Sequence, residues 1–416
     1  MKYIMKREQF LEHLTNNLIP FWNQLEDDTF GGFYGFMDKD LKVDQHADKG
    51  VILNSRILWF YSAAYRLLRV EGLRAKAEHA FHFLKEHCYD KRRGGVYWSV
   101  SYDGKPVDTT KHTYNQAFAI YSLSEYYMAT GDGDGLLLAY DLYRIIEEKC
   151  RDAEGYLESF RVDFAPDDNN EKLSENGVMA GRTMNTLLHV LEAYTNLYQA
   201  DHYESVAEKL KSIIDLFKTK VYDREKGRLQ VFFDLKYHSL IDLYSYGHDI
   251  EASWLLDRAA EVLGDETYAA RIHAMTGVLA AEVKKHAYDE RVHALYNECE
   301  RGVDDKQNIW WVQAEAVVGF YNAFQKNLHL DKFQQDKSQL NKSQQESPQQ
   351  DEFEQAAADI FDFIREKLVD PRCGEWYESI RPDGSINLER GMVHEWKCPY
   401  HNGRMCIEIC RRMEDI

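Results

Sequence analysis

Gly31-Gly32-Phe33-Tyr34-Gly35-Phe36 and Gly94-Gly95-Val96-Tyr97-Trp98-Ser99 are two versions of one phrase. Shorter versions stand at Gly155-Tyr156-Leu157-Glu158, Gly227-Arg228-Leu229-Gln230 and Gly374-Glu375-Trp376-Tyr377-Glu378. Each follows an acidic residue and sets a glycine turn before a short aromatic alternation. Several reach a second turn, Asp103-Gly104 or Asp383-Gly384. An alternating stretch between Gly turns predicts a small β-hairpin. The phrase recurs about six times, roughly every 60 to 80 residues, a period typical of solenoids and closed arrays.

Between these phrases the apolar residues fall at helical spacing. Helices are predicted near 6–20, 51–69, 73–88, 112–130, 134–150, 179–200, 202–219, 248–264, 266–285, 309–326, 352–369 and 401–413. Short links such as Arg69-Val70-Glu71-Gly72 join the members of a pair, and the long glycine-bearing connections join one pair to the next. Six helical pairs can close into an inner and an outer ring. The expectation is therefore an all-α protein, an (α/α)6 barrel with short β-hairpins at one rim. It forms one domain over residues 1–416. An open α-solenoid is the alternative, and hairpins gathered at one rim favour the closed form. Lys326 to Asp351, rich in Gln, Ser, Lys and Asp, breaks the repeat and reads as a polar surface insertion.

Composition narrows the function. The formal charge of -19 argues against nucleic acid, whose phosphates need basic patches, and suits a neutral ligand. The 27 Tyr and 8 Trp are enough to line a cavity as well as fill a core. Seven Cys without CxxC or zinc spacing read as reduced thiols of a cytosolic chain. Met1 to Phe10 is charged, with no apolar signal-peptide core, and no run of about 18 apolar residues follows. A cytoplasmic protein with no membrane partner, monomeric or weakly homo-oligomeric, is expected.

Two segments are too polar for core and too rich in chemistry for a linker. They are Trp396-Lys397-Cys398-Pro399-Tyr400-His401-Asn402-Gly403-Arg404 and Ser245-Tyr246-Gly247-His248-Asp249-Ile250-Glu251-Ala252. Each puts a His at the start of a helical stretch, so His248 and His401 read as an acid/base pair. Other unusual residues open alternate helices: Asn54 and Arg56; His112, Tyr114 and Asn115; Asn185 and His189; Trp310, Trp311, Gln313 and Glu315; Asn402. If those helices form the inner ring, their N-terminal ends converge on one cup. Arg56, between Ile52, Leu53, Ile57 and Leu58, must either pair with a carboxylate such as Glu251 or Glu315 or face a polar cavity. No HExxH spacing and no strand-GxGxxG-helix unit is present, so neither metal nor cofactor is expected.

The chain resembles the N-acylglucosamine 2-epimerase family, most closely its cellobiose 2-epimerase branch. The resemblance is carried by Ala47-Asp48-Lys49-Gly50 through Trp59, Lys111 through Asn115, Met184 through His189, Ser245 through Ala252, Trp310 through Glu315 and Trp396 through Arg404. It implies an (α/α)6 barrel, a small-molecule disaccharide substrate, and cofactor-free epimerisation at C2 of its reducing-end glucose. It places the acid/base pair on His248 and His401, with Arg56 catalytic. Substrate contacts fall on Tyr114, Asn185, His189, Glu251, Trp311, Glu315 and Trp396.

The chemistry suits these residue types. Once the sugar ring is open, the C2 proton leaves one face and a proton returns to the other through an enediolate. Imidazole can give and take a proton near neutral pH, and Arg stays cationic beside the developing oxyanion. Helix N-termini disfavour the protonated imidazole, which helps it act as a base. Two alternatives within the family are an N-acetylglucosamine 2-epimerase and a monosaccharide aldose–ketose isomerase. An alternative of another class is an (α/α)6 glycoside hydrolase using Glu251 and Glu315. A non-catalytic sugar- or protein-binding module would leave the His pair unexplained.

Overall fold

A computed structural model of the chain describes residues 4–167, 171–173, 176–337 and 348–414, without the side chains of 171, 329–337 and 348–351. The described residues form six helical pairs. They are α1 (Arg7–His13, continued through a π turn at Leu14–Leu18 to Ile19–Asn23) and α2 (Val51–Leu68); α3 (Glu71–Phe83) and α4 (Thr113–Thr130); α5 (Gly133–Lys149) and α6 (Met184–Asp201); α7 (Glu204–Leu216) and α8 (Tyr246–Val262); α9 (Glu266–Ala287) and α10 (Trp310–Lys337); α11 (Pro348–Phe363) and α12 (His401–Glu414).

Burial shows which ring is inside. Every residue of α2 from Val51 to Tyr65 is buried, and every residue of α4 from Thr113 to Tyr126. A helix covered on all sides needs neighbours all round. By contrast α7 buries Val206, Ala207, Leu210, Ile213 and Ile214, a single stripe at helical spacing. The even-numbered helices pack in sequence, α2 on α4, α6, α8, α10 and α12, and α12 returns to α2. This closed ring within a ring of outer helices is the (α/α)6 barrel expected from the repeat.

The rim differs from the expectation in one respect. The short strands do not pair only within their own connection. Lys49-Gly50, leading into α2, pairs with Val100 and Ser99 of the next connection; likewise Lys111 pairs with Phe160, Arg182 with Phe233, Leu243 with Glu300 and Asn308 with Ile380. A bridge from Met37 to Val393 joins the last connection to the first. Strands of two or three residues cannot satisfy their own edges, so each of these strands leading into an inner helix finds a partner in the next repeat, while Tyr222–Asp223 and Tyr288–Asp289 pair within their own connections. The inner-helix N-termini are thereby tied into one rim.

The glycine turns are anchored by their acidic residues. Asp27, Asp90, Asp152 and Asp223 each accept from backbone N–H groups two and three residues on. Gly31 and Gly94, at φ +82° and +80°, close the turn in the left-handed region that favours glycine. One turn into four inner helices, a polar side chain then grips the hairpin. Asn54 accepts from Phe33 N, Gln116 from Val96 N, Asp249 from Leu229 N and Gln313 from Leu295 N. Asn54 and Gln313 are thus scaffold residues.

The 326–351 stretch is also partly regular. Helix α10 runs on to Lys337 and α11 begins at Pro348. Residues 338–347 lie outside the described residues. No described helix is long and apolar enough to cross a membrane.

Candidate active site

The N-terminal ends of the inner helices open into a cavity of about 550 Å³. Arg56 reaches it from α2, Tyr114 from α4, Asn185 and His189 from α6, His248 and Glu251 from α8, Trp310 and Trp311 from α10, and His401 from α12. Trp396 comes from the last connection. Nine of the ten residues picked from the sequence therefore share one wall. The tenth, Glu315, is not on that wall: it stands behind His401 and Arg404. His112 lies outside it too, against the Trp98 ring on the strand before α4.

Both histidines are held by Nδ1. The His248 Nδ1 lies 2.7 Å from Ser245 Oγ, and the His401 Nδ1 2.7 Å from Glu315 Oε1. Nε2 is then the nitrogen left for chemistry in each ring. The Trp311 ring lies 4.8 Å from the His248 ring and 5.5 Å from that of His401. Burial lowers the His248 pKa to about 3, helped by the nearby His189. Burial also holds His401 well below its ordinary value, with Arg404 and Arg56 adding to the effect. Both are neutral imidazoles near pH 7. The sequence argument assigned this effect to helix ends; in the structure desolvation is the larger cause.

Arg56 makes no ion pair among the described residues. It donates to Tyr114 Oη at 2.9 Å and to the Trp396 carbonyl at 3.3 Å, and it packs on the Phe118 and Tyr400 rings. The salt bridge weighed from the sequence, to Glu251 or Glu315, is therefore absent. A buried cation without a counter-ion is costly, and this one faces the cavity, ready for negative charge developing there. Asn185 Oδ1, buried and without a partner among the described residues, also lines the cavity.

Behind the wall lies a cluster that the sequence reading missed. Arg404, fully buried, donates to Glu192, Glu251, Tyr400 and Glu315, the last at 2.7 Å. Glu192 in turn holds His189 Nδ1 at 2.9 Å. Burial raises the Glu192 carboxyl, but Arg404 and His189 outweigh it and bring the pKa to about 2. The His189-x-x-Glu192 spacing on one helix face was the available signal. Donor atoms of Glu251, Glu315 and His401 lie within 4.8 Å of one another, close enough to share a divalent ion. The Arg404 guanidinium already supplies a cation to both carboxylates. The outer cavity adds polar residues from the connections, among them Asn176, Asn297, Asp305 and Asn387. These had no helical periodicity to expose them.

A closed helical double ring with a histidine-lined, tryptophan-walled cup describes a carbohydrate-transforming (α/α)6-barrel enzyme. The sequence profile of the N-acylglucosamine 2-epimerase (GlcNAc 2-epimerase) family matches residues 31–401, and the chain belongs to that family. It is a carbohydrate epimerase, an isomerase. It is 49% identical to a cellobiose 2-epimerase of Eubacterium cellulosolvens over 98% of both chains. The crystal structure of a sugar epimerase from a ruminal bacterium superposes with a TM-score of 0.91 at 44% identity, over 99% of this chain and 100% of that one. Cellobiose 2-epimerase from Bacillus thermoamylovorans B4167 superposes at 0.88 with 41% identity, over 98% and 99% of the two chains.

Proposed function

We propose that the protein epimerises C2 of the reducing-end glucose of β-1,4-linked disaccharides. Cellobiose becomes 4-O-β-glucosyl-mannose, and lactose becomes its mannose-ended epimer. His248 and His401 exchange the C2 proton through an enediolate, with no cofactor. The carrying observation is the pair of neutral imidazoles, each anchored at Nδ1 and both within 5.5 Å of the Trp311 ring. The relatives named cellobiose 2-epimerases, at 49% and 41% identity over nearly the whole chain, support the disaccharide.

In this reading the sugar enters ring-closed and opens in the cup. One imidazole takes the C2 proton through Nε2. The charge moves onto O1 and O2, where Arg56 stabilises it. The other imidazole, which first takes up a proton on Nε2 from solvent, gives that proton to C2 from the opposite face. The first imidazole releases the C2 proton to solvent, so the pair returns to its neutral state. A cavity of about 550 Å³, within the range of small-ligand sites, leaves room for a second sugar ring beside Trp396.

The hydrolase alternative is weaker. Its two carboxylates, Glu251 and Glu315, both engage one nitrogen of Arg404, and Glu315 does not face the cavity. They are poorly placed to flank a glycosidic bond. Incubation with cellobiose, lactose, N-acetylglucosamine and mannose, with products read by NMR, tests the proposal. Mannose-ended disaccharide is the expected product. Turnover of N-acetylglucosamine alone, or cleavage of the glycosidic bond, overturns it.

A further inference from the structure

Epimerisation of a reducing sugar needs more than one proton pair. The hemiacetal must open before C2 becomes acidic and must close afterwards. His248 and His401 are committed to C2. The other cavity groups able to exchange protons include His189 and Glu251.

Glu251 occupies an unusual position. It is buried, it lines the cavity, and the same Arg404 nitrogen binds both Glu251 and Glu315. Glu192 takes the other terminal nitrogen. Three carboxylates thus share one guanidinium. Two carboxylates meeting on one nitrogen cannot both ionise cheaply, so one keeps its proton. The surroundings decide which. Glu192 also accepts from Tyr400 and meets His189, while Glu315 accepts from Trp254 and meets His401. Glu251 has Arg404 alone among these groups, with Glu315, Glu192, Tyr114 and Tyr400 around it. Burial and the neighbouring Glu315 push its pKa up to about 8.

We propose that Glu251 is the acid that opens the sugar ring and the base that closes it. The inference rests on the cavity being a reducing-sugar site. In opening, Glu251 gives its proton to the ring oxygen O5. The C1–O5 bond breaks and its electron pair stays on O5. The O1 hydroxyl proton passes to Nε2 of His189, whose Nδ1 is held by Glu192, and C1=O1 forms. Closure runs backwards: the O5 hydroxyl adds to C1 and returns its proton to Glu251, while His189 returns a proton to O1. Arg404 does not touch the sugar; it is a positioning residue that keeps the Glu251 carboxyl turned to the cavity.

The test separates ring opening from chemistry at C2. Two-dimensional exchange NMR measures α/β anomer exchange of saturating cellobiose, which requires opening and closing but no change at C2. The wild-type enzyme is expected to accelerate this exchange over buffer. Glu251→Gln keeps an oxygen for Arg404 and loses the titrating proton. It should lose roughly 10² to 10⁴-fold of the exchange rate, the usual contribution of a general acid. Exchange at the wild-type rate in a folded Glu251→Gln enzyme overturns the assignment. If that variant does not fold, the wild-type profile decides. Exchange should fall as pH rises through about 8, and a rate flat from about pH 6 to about pH 10 overturns the role. A wild type that exchanges anomers but leaves C2 of every sugar intact refutes the proposed function and leaves the Glu251 assignment standing.

Discussion

The Nδ1 of His401 lies 2.7 Å from Oε1 of Glu315, whose second oxygen accepts from Trp254 Nε1 at 3.0 Å. A carboxylate fixed at both oxygens fixes the ring beside it, so His401 presents Nε2 to the cup. His248 is fixed in the same way by an uncharged partner, Ser245. Two imidazoles in one orientation, one backed by a carboxylate and one by a hydroxyl, set the first expectations.

His248→Ala and His401→Ala should each lower kcat by about 10² to 10⁴-fold while the melting temperature stays near wild type. Both rings line the cavity; His401 also packs on Trp310 and Tyr400, but those rings keep their other neighbours in the barrel. A variant with near wild-type turnover would move the acid/base role to another histidine, foremost His189. Steady-state rates and a thermal melt decide.

The acid side of the pH–rate profile should be flat where an ordinary histidine would titrate. The His248 pKa is lowered to about 3, so its basic form persists at every pH above that value. Activity should be lost only as pH falls toward that range, not near 6.5. A half-loss of kcat/KM near pH 6.5 would count against the burial of these rings.

Turnover in D₂O should place deuterium at C2 of the product epimer. Protons that pass through two solvent-exchanging imidazoles are replaced from the medium. A hydride route would return the original hydrogen. Proton NMR of the C2 position reads the difference, and an unlabelled product excludes proton transfer by this pair.

Treatment with EDTA should leave the rate unchanged. Arg404 already supplies the cation among Glu251, Glu315 and His401. Activity lost to the chelator and restored by a divalent ion would show that metal displaces the guanidinium from that cluster.

Asp249→Asn should stabilise the fold, and more so as pH rises. Asp249 stands where other repeats carry Asn54, Gln116 or Gln313, and burial raises its pKa well above the ordinary carboxylate value. With a raised folded pKa, its contribution is whole below the unfolded value of 3.8 and is lost as pH climbs toward the folded one. An amide carries no such loss, and sparing a buried unsatisfied acid is worth about 1 to 3 kcal/mol. Urea midpoints at pH 5 and pH 8 check it; an equal difference at both values sinks the idea.

How much could be read in advance follows from the range of each interaction. Helical periodicity and the glycine phrase are local, and twelve helices, their pairing and the barrel were all legible from them. So were nine cavity residues, because each sits in the first turns of an inner helix or in a conspicuous polar segment. The rim pairing was not legible, since Lys49 meets Val100 and Met37 meets Val393 only once neighbouring repeats are brought together. Nor was Arg404's role, which depends on Glu192, Glu251 and Glu315 arriving from three other helices. Glu315 read as a substrate contact because it follows Trp310 and Trp311 in sequence; in the fold it stands behind His401, against Arg404. The sequence by itself determined which residues are inside and which helices carry chemistry, because hydrophobic spacing and side-chain type act locally. Only the tertiary structure decided which polar groups meet, and hence which carry charge, because burial and the electrostatics between helices exist only once the ring has closed.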